Sequence, residues 1–182
     1  MHQRPDRLSL VGQVAKALRA TGIPFAKIGA AAMAIHGVMR STADEDLLVV
    51  DGRCLQSEIW SPLRADGADV DIRKGDVFDP LAGVVRIFQE GQRPVDVVVG
   101  KFAWQRDMLE RATSGVSDET LPVVRVADII LLKLYAGGPQ DAWDILQLLA
   151  LEGRDRLIAQ VDQELPRLPA ASAVFWKKIL DG

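Results

Sequence analysis

Two carboxylates one residue apart stand where an apolar run begins, in the segment Asp44-Glu45-Asp46-Leu47-Leu48-Val49-Val50. The apolar run predicts a buried strand. Because side chains alternate between the two faces of a strand, Asp44 and Asp46 should project from the same face. Two carboxylates in this arrangement could hold one divalent cation or a pair of cations. The chain is therefore expected to build a sheet with a ligand site at the start of one buried strand.

The composition sets the size and the class of the protein. With 182 residues, 48% of them apolar, the chain can bury the core of one domain, with or without a small helical extension. The 22 basic and 25 acidic residues give a net charge of −3, which argues against a broad nucleic-acid footprint but leaves room for a local basic rim. The segment from Met1 to Leu10 is polar and charged, and no apolar run approaches the roughly 18 residues that a membrane span needs. We therefore expect a cytoplasmic protein that does not enter a membrane.

The residue inventory also restricts the metals that the chain could bind. A single cysteine, Cys54, cannot form an internal disulfide, and two histidines are too few for a typical zinc site. Any metal should therefore be bound by oxygen ligands. Mg²⁺ is the first choice and Mn²⁺ the alternative.

Hydrophobic periodicity predicts an α/β fold of the α+β kind, with a small mixed β-sheet, flanking helices and a helical C-terminal bundle. The predicted strands cover residues 25–28, 45–50, 68–73, 84–88 and 94–99. The last two should form an antiparallel hairpin, and the second of them carries Asp96. The predicted helices cover residues 6–20, 30–36, 54–64, 102–112, 126–135, 140–151, 154–165 and 170–180, with a loop at 113–120. This pattern divides the chain into a mixed part, residues 1–120, and a helical part, residues 121–182, which we expect to pack together.

Three motifs occur in an order that resembles the nucleotidyltransferase superfamily. They are a helix entered at Gly29-Ala30, the Asp-x-Asp of Asp44 and Asp46 on a strand, and a third acid, Asp96, on a later strand. Three longer segments are similar to sequences of the small bacterial branch that includes the AbiEii-type toxins. These segments are Ile28 to Gly37, Arg40 to Leu47, and Leu131 to Ile145. The similarity covers roughly residues 25–150, and the order of the motifs makes it more specific than any single motif.

The resemblance implies a DNA polymerase β-like fold and transfer of a nucleoside monophosphate from a nucleoside triphosphate to an acceptor hydroxyl. The acceptor could be a tRNA end, a protein or a small molecule, and a toxin would have an antitoxin as its partner. The implied catalytic and metal ligands are Asp44, Asp46 and Asp96, which would hold two Mg²⁺ ions during turnover. The implied nucleotide-binding residues are Gly29, Ala30, Arg40, Ser41, Thr42 and Lys133, with Asp141 and Asp144 in second rank. Backbone N–H groups after Gly29 would cradle the triphosphate.

Each of these residues also has a purely structural interpretation. Carboxylates in Asp-x-Asp motifs often accept backbone N–H bonds at turns, and the second such motif, Asp69-Val70-Asp71, is best explained as a solvated edge with local ion pairs. His36 is better explained by the C-terminal end of a helix than as a ligand. Lys133 could snorkel from an apolar helix, and Asp141 and Asp144 could be a helix N-terminal charge bias. The four tryptophans are expected to be core or interdomain anchors, and Cys54 a packing residue.

Two residues depart from the pattern of the superfamily. Ala30 stands where a glycine or serine is usual, and Glu45 stands between the two acids, where it needs solvent or a cation such as Arg73, Lys74 or Arg86. A second hypothesis is therefore a catalytically weak or inactive module with this fold that binds a protein partner. A third is a metal-dependent phosphohydrolase that uses the same three acids with water as the acceptor.

Overall fold

The computed structural model describes residues 8–40, 43–112, 121–151 and 153–181. Within them, five strands and eight α-helices occur. The strands are β1 (Phe25–Ile28), β2 (Glu45–Val49), β3 (Asp69–Lys74), β4 (Gly83–Phe88) and β5 (Val95–Val99). The helices are α1 (Leu10–Ala20), α2 (Gly29–Ile35), α3 (Ser61–Ala65), α4 (Ala103–Arg111), α5 (Val126–Ala136), α6 (Pro139–Leu149), α7 (Arg154–Glu164) and α8 (Ala170–Asp181). The predicted loop at 113–120 lies outside the described residues.

The strands form one mixed sheet in the order β1-β2-β5-β4-β3. Strands β2 and β5 are parallel, and the other neighbours are antiparallel, so the predicted mixed sheet and the predicted β4–β5 hairpin are confirmed. The one parallel pair lies in the middle of the sheet. It aligns Asp46 of β2 with Asp96 of β5 at the same level.

The alternation of apolar side chains gives the sheet two covered faces. On one face, Leu47 and Val49 of β2 and the valines at 95, 97 and 99 of β5 pack against α1, Trp60 and Leu63. On the other face, Ala26, Ile28 and Leu48 share a core with residues of α2 and of the four C-terminal helices. One hydrophobic core thus contains side chains from residues 1–120 and from residues 121–182.

The chain enters the helical part along the edge of the sheet. The backbone N–H of Lys27 donates to the carbonyl of Pro122 (2.7 Å), and the N–H of Val124 donates to the carbonyl of Lys27 (3.2 Å). These bonds fix the start of α5 beside β1. None of the described helices is long and apolar enough to cross a lipid bilayer.

One predicted helix and one predicted core residue are wrong. Residues 54–64 form two short 3-10 turns, Gly52–Leu55 and Ser57–Trp60, and the five-residue α3 rather than one helix. Gln56 is extended (φ −105°, ψ 141°), and Pro62 lacks the N–H that a continuing helix needs. Trp143, expected to be buried, is 55% exposed on α6.

Candidate functional site

Three acids and one arginine meet on the face of the sheet that is covered by the helical part. Asp46 lies opposite Asp96 across the parallel β2–β5 pair, and Arg86 of β4 lies opposite Asp96 across the antiparallel β4–β5 pair. Side chains at paired positions point to the same face of a sheet. Asp44 precedes β2 by one residue and reaches the same group through Arg86. The structure therefore brings together the three acids that the sequence predicts to be catalytic.

Arg86 bonds two of these three acids. Its Nη1 donates to Asp96 Oδ2 at 2.9 Å, and its Nη2 lies 3.1 Å from Asp44 Oδ2. The arginine side chain is 45% exposed, whereas the side chain of Asp96 is 19% exposed. The second oxygen of Asp96, Oδ1, is buried and has no hydrogen-bond partner among the described residues. The acid group thus has one cation in place and one carboxylate oxygen still unpaired.

The acids disfavour one another's ionised forms. Burial, followed by repulsion from Asp96 and Asp44, raises the pKa of Asp46 to about 6, and Arg86 offsets only part of this. Burial is also the main cause that raises the pKa of Asp96. Hydrogen bonding to Asp44 raises the pKa of Arg86, so the arginine stays charged. The positive charge of Arg86 therefore does not balance the charge of the three carboxylates when all of them are ionised.

Gly29 allows the turn from β1 into α2 to touch Asp46. Its φ of +65° lies in the left-handed region, and a Cβ at this position would lie 2.3 Å from Asp46 Oδ2. Only glycine fits here, because the left-handed backbone conformation and the lack of space both exclude a side chain. The glycine that the sequence predicts to begin the phosphate-binding turn therefore lies directly beside the acid group.

Glu45 faces away from this group. It lies on the opposite face of β2, where Lys27 Nζ bonds its Oε2 at 2.8 Å and Arg93 Nη1 lies 3.8 Å from its Oε1. The expected partners Arg73, Lys74 and Arg86 were therefore wrong, because those residues lie on β3 and β4, away from this carboxylate. Glu45 thus pairs with Lys27 on the other face of the sheet, and its charge is only a minor cause of the raised pKa of Asp46.

A second charged group joins the loop before β2 to the C-terminal helices. Lys133 of α5 bonds Asp141 Oδ1 (3.2 Å) and Asp144 Oδ2 (2.5 Å) of α6, and Arg40 also bonds Asp144 Oδ2. The carboxylate of Asp144 is only 1% exposed, and Asp141 also accepts the backbone N–H of Gly138 at the start of α6. These four residues, two predicted to bind nucleotide and two of second rank, thus form their own ion cluster.

Two clefts lie near the acid group, one lined by Gly29, which lies against Asp46, and one lined by Asp96 itself. The first has a volume of about 310 Å³, and apolar side chains of β1, β2, β5 and α5 line it together with Gly29, Gln105, Lys133 and Asp141. The second has a volume of about 360 Å³ and is lined by Asp96 and the three cations Arg73, Lys74 and Arg86, among others. Pro80 and Leu81, in the loop 75–82 between β3 and β4, line both. The hydroxyl of Tyr135 donates to the Pro80 carbonyl at 3.0 Å and ties this loop to α5.

Other predictions have clear outcomes. Ser41 and Thr42 lie outside the described residues. Asp71 pairs with Arg73 and is 55% exposed on the edge strand β3, as expected for a solvated edge. His36 follows the last residue of α2, and its Nε2 donates to the carbonyl of Val124, outside that helix, at 2.8 Å. Sequence reasoning missed the position of Arg86 between the acids and the place of Gln105 in the first cleft, because no local motif marks either.

The acid group fits a hard cation by its chemistry, with one condition. Carboxylate oxygens are the ligands that Mg²⁺ prefers, and Asp96 Oδ1 is a buried oxygen without a partner among the residues described. As the described side chains stand, however, no three of the His, Cys, Asp and Glu type are grouped closely enough to hold a metal ion. Arg86 bonds two of the acids instead. The three carboxylates could therefore hold a cation only in an arrangement in which Arg86 no longer bonds Asp44 and Asp96.

The chain has the nucleotidyltransferase fold. It aligns with the crystal structure of ANT(2″)-Ia in complex with adenylyl-2″-tobramycin at a TM-score of 0.55 and 15% identity, over 87% of this chain and 96% of that one. It aligns with lincomycin-bound LnuA, a lincosamide antibiotic adenylyltransferase, at a TM-score of 0.51 and 11% identity, over 80% and 99% of the two chains. It aligns with TM1012 from Thermotoga maritima at a TM-score of 0.50 and 12% identity, over 77% of this chain and 90% of that one. No protein-family model and no curated protein matches the sequence.

Proposed function

We propose that the protein is a magnesium-dependent nucleotidyltransferase, which transfers a nucleoside monophosphate from a nucleoside triphosphate to an acceptor hydroxyl and releases pyrophosphate. One observation carries this proposal. Asp46 and Asp96 occupy paired positions on adjacent parallel strands, and Arg86 joins Asp44 to them. Gly29, which lines the first cleft, lies against Asp46, and Asp96 lines the second cleft. The shared fold of the adenylyltransferase structures supports the same reaction class.

The first cleft suits the nucleotide. Its apolar wall can bury a nucleobase, and Gly29 lies at the acid end, where the backbone N–H groups of Gly29 and Ala30 would face the phosphates. Lys133 borders the same cleft and would approach the phosphates while it remains bonded to Asp141. Ala30 lacks the hydroxyl of a serine, so the phosphates would be bound here by the backbone and by Lys133.

The chemistry falls to the acid group. Asp44, Asp46 and Asp96 would hold Mg²⁺, which neutralises phosphate charge and lowers the pKa of a bound hydroxyl. Asp96 borders the second cleft, and its carboxylate would accept the proton of the acceptor hydroxyl there. The acceptor oxygen then forms a bond to the α-phosphorus as the bond between this phosphorus and the pyrophosphate oxygen breaks.

The lining of the second cleft favours one class of acceptor. Arg73, Lys74 and Arg86 outnumber the two acids Asp79 and Asp96 in its wall. A hydroxyl flanked by negative charge, as at the end of an RNA, fits this cleft better than a neutral small molecule does. The resemblance to AbiEii-type toxins supports a role in a toxin–antitoxin pair in the cytoplasm, with an antitoxin protein as partner.

The test compares the two Asp-x-Asp motifs of the chain. The double variant Asp44→Asn/Asp46→Asn should lose Mg²⁺-dependent binding of nucleoside triphosphates in calorimetry. The double variant Asp69→Asn/Asp71→Asn removes the same two charges at the solvated edge and should bind as the unchanged protein does. Equal binding by all three proteins would refute the proposed site.

A second candidate function is favoured by Arg86. An arginine bonded to two of the three acids could replace the metal permanently, and the protein would then be a non-catalytic module that binds a protein partner. Incubation with α-labelled triphosphates, Mg²⁺ and cell extract separates the two candidates. Transfer of label to any acceptor excludes the inactive module, and release of labelled monophosphate without an adduct indicates hydrolysis with water as acceptor.

A further inference from the structure

Gln105 is a buried amide whose orientation is fixed by its neighbours. Its side-chain Oε1 accepts the backbone N–H of Lys101 (2.9 Å) and of Phe102 (3.0 Å) at the start of α4. An amide nitrogen cannot accept these bonds, so the oxygen and the nitrogen cannot exchange places. Gly100 allows the close approach, because a Cβ there would lie 2.5 Å from Oε1. The Nε2 group is therefore held as a donor in one direction.

This donor has no partner within the part of the chain that is described. Gln105 is 0% exposed, and its Nε2 is buried without a hydrogen bond. A buried donor left unpaired is destabilising, because the group has lost its hydrogen bonds to water and gained none in return. Gln105 borders the first cleft, whose wall is otherwise mainly apolar, with Ile28, Leu48 and Val98 among its lining residues. An acceptor atom on a bound molecule would supply the missing bond.

The distance along the sheet indicates which part of a nucleotide reaches Gln105. Asp96, the second residue of β5, lies in the acid group, and Gly100, in contact with Gln105, follows four residues later. At about 3.3 Å per residue, the two ends of this path are about 13 Å apart. With the phosphates at the acid end, the base lies towards Gln105, and its outer edge carries the substituent at position 4 of a pyrimidine or position 6 of a purine.

We propose that Gln105 determines the base specificity of the enzyme. It donates from Nε2 to a carbonyl oxygen on the outer edge of the base, so keto bases are preferred to bases that carry an amino group there. The inference rests on the proposed nucleotidyltransferase function and adds the choice of nucleotide to it. Uracil and guanine present an acceptor at this edge, whereas cytosine and adenine present an amino group that would face the amide hydrogens.

Two matched pairs of nucleotides test this on the unchanged protein. In calorimetry with Mg²⁺ and no acceptor, UTP should bind about tenfold more tightly than CTP, and inosine triphosphate about tenfold more tightly than ATP, as expected for one hydrogen bond gained against one donor clash. Each pair differs mainly at the base edge that would meet Gln105. Equal affinities within both pairs, or tighter binding of CTP and ATP, would overturn the inference.

The variant Gln105→Glu tests the residue itself. A glutamate keeps one oxygen for the N–H groups of Lys101 and Phe102 and replaces the donor by an acceptor. At pH 8, where two N–H bonds favour the ionised form, the keto preference should disappear or reverse. Gln163→Glu adds the same charge on the exposed side of α7 and should leave the preference unchanged.

The outcomes separate this inference from the proposed function. If the unchanged protein binds triphosphates and Gln105→Glu shows the same order of affinities, Gln105 does not determine the base specificity. The proposed function then still stands. If the unchanged protein binds no triphosphate, the proposed function fails and the inference fails with it. Should Gln105→Glu not fold, as judged by circular dichroism, the two nucleotide pairs on the unchanged protein decide the question.

Discussion

At the scale of single residues, Arg86 occupies two of the carboxylates that the proposed function assigns to a metal ion. Its guanidinium bonds Asp96 and Asp44, yet nearly half of its side chain is exposed, so it can leave without opening the core. A divalent cation would bind the same carboxylates. The arginine and the cation therefore compete, and the affinity for the metal includes the cost of releasing Arg86.

The variant Arg86→Gln should bind Mn²⁺ or Mg²⁺ about tenfold more tightly, because the competing guanidinium is gone and two charge-assisted bonds no longer have to be broken. Isothermal titration calorimetry measures the affinity. Arg93→Gln is the matched control, since Arg93 is exposed and only 3.8 Å from Glu45 on the other face of the sheet. Weaker metal binding by Arg86→Gln would instead mean that the arginine orients the acids.

Gly29 offers a test of the contact between the turn and Asp46. Gly29→Ala should lower the free energy of unfolding by more than Gly22→Ala does, with about 1 kcal/mol for the shared backbone strain and a further 1–3 kcal/mol for the clash. Both glycines have nearly the same φ, +65° and +66°, but only Gly29 would place a Cβ against Asp46 Oδ2, and nothing lies within 4 Å at Gly22. Urea denaturation measures both. Equal losses would show that Asp46 moves aside freely.

The raised pKa of Asp46, about 6 in the folded protein against an ordinary 3.8, predicts a pH dependence of stability. Between these values the folded protein binds more protons than the unfolded chain, so this residue lowers the free energy of unfolding as the pH rises. The cost is absent well below pH 4 and complete above pH 6.

Asp46→Asn removes this contribution. Without metal, the variant should gain stability relative to the unchanged protein as the pH rises from 4 to 7.5, as measured by urea denaturation in the presence of a chelator. Asp69→Asn, at an exposed position of β3, should show no such trend. A constant difference between Asp46→Asn and the unchanged protein over this range would contradict the raised pKa.

At the scale of elements, the sequence allowed the strands and long helices to be predicted, because period-two and period-3.6 patterns run through them without interruption. The segment 54–64 failed because its apolar residues have helical spacing while Gln56 is extended and Pro62 interrupts the hydrogen bonds. Asp44, Asp46 and Asp96 could be found as a local motif plus one acid in an apolar strand. Arg86 and Gln105 could not, since their roles depend on strand order and on a helix start that no local pattern records.

Helices α5 and α6 are joined by a buried ion pair that is central to their docking. Asp144→Asn should lower the free energy of unfolding by about 3 kcal/mol, because Lys133 and Arg40 lose the charge of a carboxylate that is 1% exposed. Asp141→Asn is the matched variant on the same helix. It shares Lys133 but is 20% exposed, so its loss should be about 1 kcal/mol. Thermal or urea unfolding measures both, and equal losses would mean that burial at Asp144 has no special effect.

At the scale of the whole molecule, the loop 75–82 connects the sheet to the helical part and separates the two clefts. Pro80 and Leu81 line both clefts, and Tyr135 of α5 holds the Pro80 carbonyl. The ring of Tyr135 is itself packed edge-on against Phe102 and Trp104, with ring centroids 5.7 and 5.3 Å away. The hydroxyl therefore couples a loop that borders both clefts to an aromatic cluster, and its loss should free the loop alone.

Tyr135→Phe keeps this packing and removes one hydrogen bond. The amides of residues 75–82 should exchange about fivefold faster in hydrogen–deuterium exchange, as expected from a net loss of about 1 kcal/mol in local opening. Strands β3 and β4 should keep their protection, because their own ladder hydrogen bonds are untouched. Thr21→Val is the control, since it removes a hydroxyl bond at the end of α1 and should leave the loop unchanged. Unchanged exchange in Tyr135→Phe would show that Lys101, whose Nζ lies 3.2 Å from the Val77 carbonyl, is sufficient to hold the loop.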